Sequence, residues 1–289
     1  MASEVIRILS DLHYGDRASR VRRLAALRPL FAGADRVVFN GDSLETRAGP
    51  ADRRTPERRR EFLDFVRREV PRGVVLTGNH DADLSGLHSL DLLHGLVFVT
   101  HGEILFDDLV PWSNEQPEIG IRYRRELAAL APAERENLES RLRAGKRACA
   151  QLRPFHEPLP LGPWRCTLHT VRKFWPPRRT LAMFRAWREL PDLVAGVARR
   201  HRPRARFVVV GHTHLPGVWT RQGVVVINTG SFCPPLGAYA VDVSAEQIVV
   251  RRVRRRQSRF HLGRVVAAFA LAADDDGAAD LAGALVPTP

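Results

Sequence analysis

No apolar run approaches the roughly 20 residues needed to cross a bilayer, and charged residues make up 27% of the 289 positions. A membrane span is therefore not expected. Cysteine is scarce: Cys149, Cys166 and Cys233 are odd in number and lack the close spacing of a metal finger. That fits reduced thiols better than a disulfide framework. No leader is expected either, since the first motif residue, Asp11, follows Met1 closely and an n-region, an apolar h-region and a cleavage site would have to precede it. A cytoplasmic chain is expected. Lysine is rare too, so the formal net charge of +13 comes almost wholly from arginine. Its planar fork suits bidentate contact with phosphate and carboxylate. Anionic partners are favoured, whether phosphorylated small molecules, nucleic acid or an anionic membrane surface. The bland alternative is a general use of Arg for Lys, since net charge speaks first to solubility.

With 44% hydrophobic residues, the chain can bury one sizeable core, as one large domain or two small ones. Its main pattern is a short, β-branched apolar run that stops at a cluster of Asp, Asn, His and Gly. Residues 5–9 lead into Ser10-Asp11-Leu12-His13, and 37–39 into Asn40-Gly41-Asp42. Residues 73–76 lead into Thr77-Gly78-Asn79-His80-Asp81, 96–99 into Thr100-His101-Gly102, and 207–210 into Gly211-His212-Thr213-His214. Such runs read as buried strands. Helical spacing lies between them, at Val21, Leu24, Leu27 and Phe31, after Thr55-Pro56-Glu57, and at Leu84, Leu87 and Leu93 before Gly95. The alternation predicts an α/β fold, with ligands gathering where loops leave the strand ends. After His214, the runs 224–227, 239–243 and 248–253 predict a second, largely antiparallel sheet packed face to face with the first.

The core is thus expected over 1–103 and 207–256, with 104–206 as a helical insertion or cap. The insertion carries Trp112, Trp164, Trp175 and Trp187 and two helical patterns. One, started by Pro132, includes Leu138, Leu142, Cys149 and Leu152; the other runs from Leu181 to Val197 and should kink or break at Pro191. Long insertions of this kind serve as lids or binding surfaces, or simply cover a sheet edge. The remainder, 257–289, reads as a tail whose apolar run 265–273 forms a docked or interfacial helix, with a loosely ordered acidic end beyond Asp274.

Asp11 and His13 are two apart, a spacing that in extended chain puts both side chains on one side. His212 and His214 repeat it. Asp42, at a tight turn after Gly41, can bridge two cations through its two oxygens, while Asn79 offers an amide oxygen and His101 an imidazole. Each alone is weak, since a lone His after a strand is more often a hydrogen-bonded turn residue than a ligand. Seven candidates at the exits of five strands are another matter. Mixed N and O donors suit Mn, Fe, Zn, Co or Ni better than Ca or Mg.

In this order the motifs Asp11-Leu12-His13, Gly41-Asp42, Gly78-Asn79-His80-Asp81, His101-Gly102 and Gly211-His212-Thr213-His214 resemble the signature of the calcineurin-like metallophosphoesterase superfamily. The resemblance implies a four-layer α/β-β/α double sandwich and two divalent ions, with manganese the first choice. It places Asp11, His13, Asp42 and His214 on one ion and Asp42, Asn79, His101 and His212 on the other. Paired cations about 3.5–4 Å apart clamp phosphoryl oxygens and activate a shared water. His80 is similar to the family histidine that is not a ligand and assists at the leaving-group oxygen, a role supported by its place beside Asp81. The pattern departs after the bridging residue, where members often have Asp followed by Arg and this chain has Glu45 and Thr46, with Arg47 one place late. Glu45 can still orient His80, while Arg47 reads as a solvated loop arginine.

One branch, the UDP-2,3-diacylglucosamine pyrophosphatases, is similar in its Gly41-Asp42-x-x-Glu45 and His101-Gly102-Glu103 order and its helical insertion. That implies a lipid-nucleotide substrate and peripheral contact with an anionic membrane. The branch usually has Arg in place of His80 and a shorter insertion. Rival readings are a phosphatase of soluble phosphates or phosphoproteins, a nuclease, and a non-catalytic scaffold of the same fold. Nucleic acid ranks lower as a partner, because the sequence localises no basic stripe.

Overall fold

A computed structural model describes residues 3–46, 55–113, 116–150 and 177–271. Its strands, in chain order, are β1 (Ile6–Leu9), β2 (Arg36–Asn40), β3 (Val74–Leu76), β4 (Ser89–Leu92), β5 (Val97–Thr100), β6 (Phe207–Val210), β7 (Gly217–Arg221), β8 (Val224–Asn228), β9 (Tyr239–Val243), β10 (Gln247–Arg256) and β11 (Arg259–Ala270). They form a six-stranded sheet ordered β11-β10-β9-β1-β2-β3 and a five-stranded sheet ordered β4-β5-β6-β8-β7. The α-helices are α1 (Thr55–Glu69), α2 (Gln116–Ala128), α3 (Pro132–Glu136), α4 (Leu138–Ala150) and α5 (Pro177–His201).

Three apolar layers hold the molecule together, because each sheet must cover both faces. Between the sheets lie Ile8, Val38, Val99, Val209, Ile227 and Val241. Outside the six-stranded sheet, Phe39 and Val37 pack on Leu24, Leu27, Phe62 and Phe65. Outside the other, Phe98, Val208 and Val226 pack on Leu142, Leu190 and Val194 of the helical insertion. This is the four-layer sandwich the resemblance implied. No helix among the described residues is long and apolar enough to cross a membrane.

Several local expectations change. The spacing at 24–31 produces a 3-10 helix, Leu24–Phe31, whose three-residue turn brings Leu24, Leu27 and Leu30 onto one buried face. No helix forms from Leu84 to Leu93: β4 pairs antiparallel with β5, and Leu87 is exposed. There Leu90 and Leu92 follow the two-residue period of a strand. The later strands do not make a sheet of their own, since β8 joins β6 in parallel while β9 and β10 extend the sheet of β1. The run expected as a docked or interfacial helix belongs, from 265 to 270, to β11, paired along β10, with Ala267 in the inter-sheet core. In the insertion, Asn137 leaves helical geometry and separates α3 from α4, whereas α5 continues through Pro191. Arg47, Leu152, Trp164, Cys166, Trp175 and the acidic end lie outside the described residues.

Candidate metal centre

Strands β1, β2 and β3 are parallel to one another, as are β5 and β6, so the loops that follow each set leave its sheet at a common end. Asp11, His13, Asp42, Asn79, His101, His212 and His214 all sit on those loops. Five of them have positive φ: Asp11 52°, His13 47°, Asp42 50°, His212 68° and His214 58°. Such values are uncommon outside glycine and cost of order 1–3 kcal/mol each. Asp11 and His13 therefore share a side because the chain turns through left-handed residues, and not because it is extended. Backbone bonds fix the turn: Asp11 N–H donates to Gly41 O (3.1 Å) and His13 N–H to Asp42 O (2.8 Å).

Two motif glycines are explained by close approach. A Cβ on Gly78 would collide with the backbone nitrogen and carboxylate of Asp42, and one on Gly211 would strike the Asp11 carboxylate and Ser10.

The seven side chains converge. His214 Nε2 lies 3.2 Å from Asp11 Oδ1 and 3.1 Å from His13 Nε2. His13 Nε2 is also 3.8 Å from both Asp11 Oδ1 and Asp42 Oδ2. On the other side of Asp42, His101 Nε2 stands 3.3 Å from Oδ2, and His212 Nδ1 stands 2.9 Å from Asn79 Oδ1. Asp11, His13 and His214 thus make one candidate cation group, and Asp11, Asp42 and His101 another, all donor atoms of a group lying within 4.8 Å of one another.

The hydrogen bonding fits cations. His101 Nδ1 faces the Asn40 carbonyl at 3.0 Å, so that nitrogen donates, and with a cation beside the ring Nε2 is the nitrogen free to ligate it. Nε2 is buried and has no hydrogen-bond partner. His212 Nε2 faces the Leu109 carbonyl at 2.8 Å, which leaves Nδ1 and Asn79 Oδ1 turned toward each other as two acceptors. A cation satisfies both.

The electrostatics agree. Burial, then the charge of His80, pushes His13 down to about 4; burial, then His101, does the same to His212. Both rings are neutral at pH 7, as ligands must be. Burial also opposes charge on His101, but Asp42 and Asp11 outweigh it and lift that imidazole to about 10. Against the same burial, the histidines hold Asp42 well below the usual carboxylate range. The carboxylates thus draw a positive charge to this spot, a proton on His101 or a cation beside it.

The other three expected site residues separate in role. His80 is part-buried, with Nε2 4.0 Å from Asp42 Oδ2 and Nδ1 2.6 Å from Glu45 Oε2, so Glu45 orients it. Asp81, which the resemblance groups with His80 and Glu45 as a catalytic residue, is bonded to the backbone of two loops. Its carboxylate accepts backbone N–H bonds from Asp42 (3.1 Å), Ser43 (2.7 Å), Leu44 (3.2 Å) and Gly78 (2.6 Å). With its oxygens committed to these donors, Asp81 ties together the loops that carry Asp42 and Asn79. Burial, followed by the Asp42 charge, lifts it to about 6 while those donors pull the other way.

The sequence reading missed the partners behind the ligands. Asn40 closes an apolar strand, and its side chain donates to Thr100 O at 2.9 Å while its carbonyl orients His101; a polar residue ending so apolar a run was the available signal. Lys146 of α4 is buried, donates to Thr77 O at 2.6 Å and pairs with buried Glu103. Trp112 stacks near His212, ring centroids 5.1 Å apart, and Trp187 Nε1 donates to Thr213 O at 2.9 Å.

The sequence profile of calcineurin-like phosphoesterases matches residues 5–216, a span that holds every candidate site residue. No curated protein matches the chain. Among solved structures, it is similar to a conserved predicted phosphoesterase from Streptococcus pneumoniae TIGR4, with 14% identity, coverage of 94% of this chain and 99% of that one, and a TM-score of 0.38. Vps29 from Chaetomium thermophilum has 12% identity, 92% and 98% coverage and a TM-score of 0.44. Vps29 complexed with Zn from Entamoeba histolytica has 11% identity, 92% and 98% coverage and a TM-score of 0.42.

Proposed function

The chain belongs to the calcineurin-like phosphoesterase family, and from that premise we propose that it hydrolyses a phosphate ester or anhydride at a centre of two divalent cations. The observation that carries this reading is the contact of Asn79 Oδ1 with His212 Nδ1 at 2.9 Å, beside the Asp11 carboxylate common to two candidate cation groups and the Asp42 carboxylate of one of them. Asp11, His13, Asp42 and His214 would hold one ion and Asp42, Asn79, His101 and His212 the other, with manganese the first to try among Mn, Fe, Zn, Co and Ni. A cation pair supplies charge for the phosphoryl oxygens and lowers the pKa of a water between them.

The chain's own residues do the rest. Asn40 and Leu109 carbonyls fix the tautomers of His101 and His212. Asp81 ties the Asp42 and Asn79 loops together. Glu45 accepts the Nδ1 proton of His80 and holds the ring so that Nε2 faces the centre, where a proton on it would pass to the departing oxygen, a contribution of about a hundredfold to ten-thousandfold.

Turnover of a generic aryl phosphate or diester with added manganese tests the reading. Absence of turnover together with absence of bound metal favours a scaffold of the same fold.

A lipid-nucleotide pyrophosphatase is the second reading, supported by the exposed Leu181 and Phe184 on α5. They stand one to two turns before Trp187, which is anchored between two candidate ligands. Release of UMP from a UDP-diacylglucosamine substrate tests it.

A further inference from the structure

Arg251, Arg252, Arg254, Arg255 and Arg256 form a basic cluster in the sequence, and the fold gives that charge a direction. Strands β10 and β11 form a ribbon closed by Gln257 and Ser258, both with positive φ (44° and 66°), as a two-residue hairpin requires. Register pairs Val253 with Leu262, Arg254 with His261, Arg255 with Phe260 and Arg256 with Arg259. Val253, Phe260 and Leu262 turn into the core beneath the 3-10 helix. By strand alternation, Arg252, Arg254, Arg256 and Arg259 take the opposite face, where all four are exposed. Arg251 comes 3.9 Å from Asp242, but among the described residues none of those four has an ion-pair partner.

The row stands at the metal end of the sheet. Strand β9 is antiparallel to both β1 and β10, so β10 runs with β1 and its arginines overhang where the Asp11 loop leaves. Contact is close: the Phe260 ring lies 5.0 Å from Phe232, and Phe232 N–H donates to the Asp11 carbonyl at 3.1 Å.

We propose that this ribbon binds the phosphate backbone of a nucleic acid and so makes a phosphodiester strand the substrate of the adjacent centre; this rests on the phosphoesterase reading above. Alternate residues of a strand recur about every 7 Å, a linear array of cations for a linear array of anions. Arginine suits it through its bidentate fork on phosphate oxygens. A two-stranded ribbon also has the width that a B-form major groove admits. A membrane surface fits less well, because the large apolar side chains of the tip are turned into the core and leave no apolar anchor among the cations. In the reaction, the oxygen of water forms a new bond to phosphorus as the bond to one sugar oxygen breaks. That oxygen leaves with a proton, giving one phosphomonoester end and one hydroxyl end.

The test is fluorescence anisotropy of a labelled duplex and a labelled single strand with the intact chain in EDTA, from about 50 to 200 mM salt, alongside phosphatidylserine vesicles. With four phosphate contacts, affinity should fall about a hundredfold across that range, with a logarithmic slope of about −4. The variant R252Q/R254Q/R256Q/R259Q should flatten the slope by about four units and keep its thermal midpoint. The equal charge change R60Q/R68Q/R125Q/R188Q, placed on α1, α2 and α5, should leave binding nearly intact. Equal losses in the two variants, or binding to vesicles and to neither nucleic acid, would overturn the proposal. Turnover of a small aryl diester with manganese but none of bound nucleic acid would overturn the substrate class. Binding without turnover of either would support the ribbon's role and sink the phosphoesterase reading instead.

Discussion

Asn79 Oδ1 and His212 Nδ1 lie 2.9 Å apart even though the other ring nitrogen of His212 already faces the Leu109 carbonyl at 2.8 Å. Burial keeps His212 neutral, so its single N–H serves only one of these contacts. A cation placed between them satisfies the remaining pair of lone pairs.

Replacing Asn79 with leucine should therefore weaken binding of the second metal equivalent by tenfold or more while leaving the first. Calorimetric titration of the stripped protein with manganese or zinc measures this. Equal affinities in wild type and Asn79→Leu would remove Asn79 from the ligand set.

His80 should separate binding from turnover. His80→Ala is expected to retain the full metal content and lose about 10² to 10⁴ in kcat. Glu45→Gln, acting through the ring it orients, should lose about 10 to 100-fold. A His80→Ala protein that loses metal instead would make His80 a ligand, which its place in the His13, Glu45 and His80 group also permits geometrically.

Gly78 should tolerate no side chain. Gly78→Ala drives a methyl into Asp42 and is expected to destabilise by about 1–3 kcal/mol or more. Gly86→Ala, with open space around it, should stay within about 0.5 kcal/mol. Denaturant midpoints of the two variants compare them directly, and equal midpoints would refute the close-approach explanation of the motif.

Lys146 and Glu103 form a buried ion pair that joins α4 to the loops of the centre. Lys146→Met should cost about 3–5 kcal/mol by leaving Glu103 charged and alone. The double variant Lys146→Met/Glu103→Leu should recover most of that loss in thermal melts. No recovery would mean that the lysine acts through its bond to Thr77 O and not through the pair.

Much of the centre was legible because buried parallel strands advertise their ends: an apolar β-branched run that stops at Asp, His or Asn leaves little choice of place. Glu45 was legible only through the family resemblance, as the residue three after the bridging Asp42, and it bonds to His80. The bonding of Asp81 was hidden, because four convergent N–H donors from two loops cannot be seen in one dimension. The 3.6-residue spacing of Leu84 and Leu87 misled, since tertiary pairing of β4 with β5 overrode a short periodic match. Sheet membership was equally hidden. Nothing local in β9, β10 and β11 says that they extend the sheet of β1, and that pairing is what carries the arginine ribbon to the edge of the centre.

Elemental analysis of the chain saturated with manganese and freed of excess ion by gel filtration, run beside Asp42→Asn, bears most directly on the paired centre. The account predicts about two ions per wild-type chain and at most one in the variant. No retained ion in the wild type with Mn, Fe, Zn, Co or Ni, or two retained in Asp42→Asn, would contradict it.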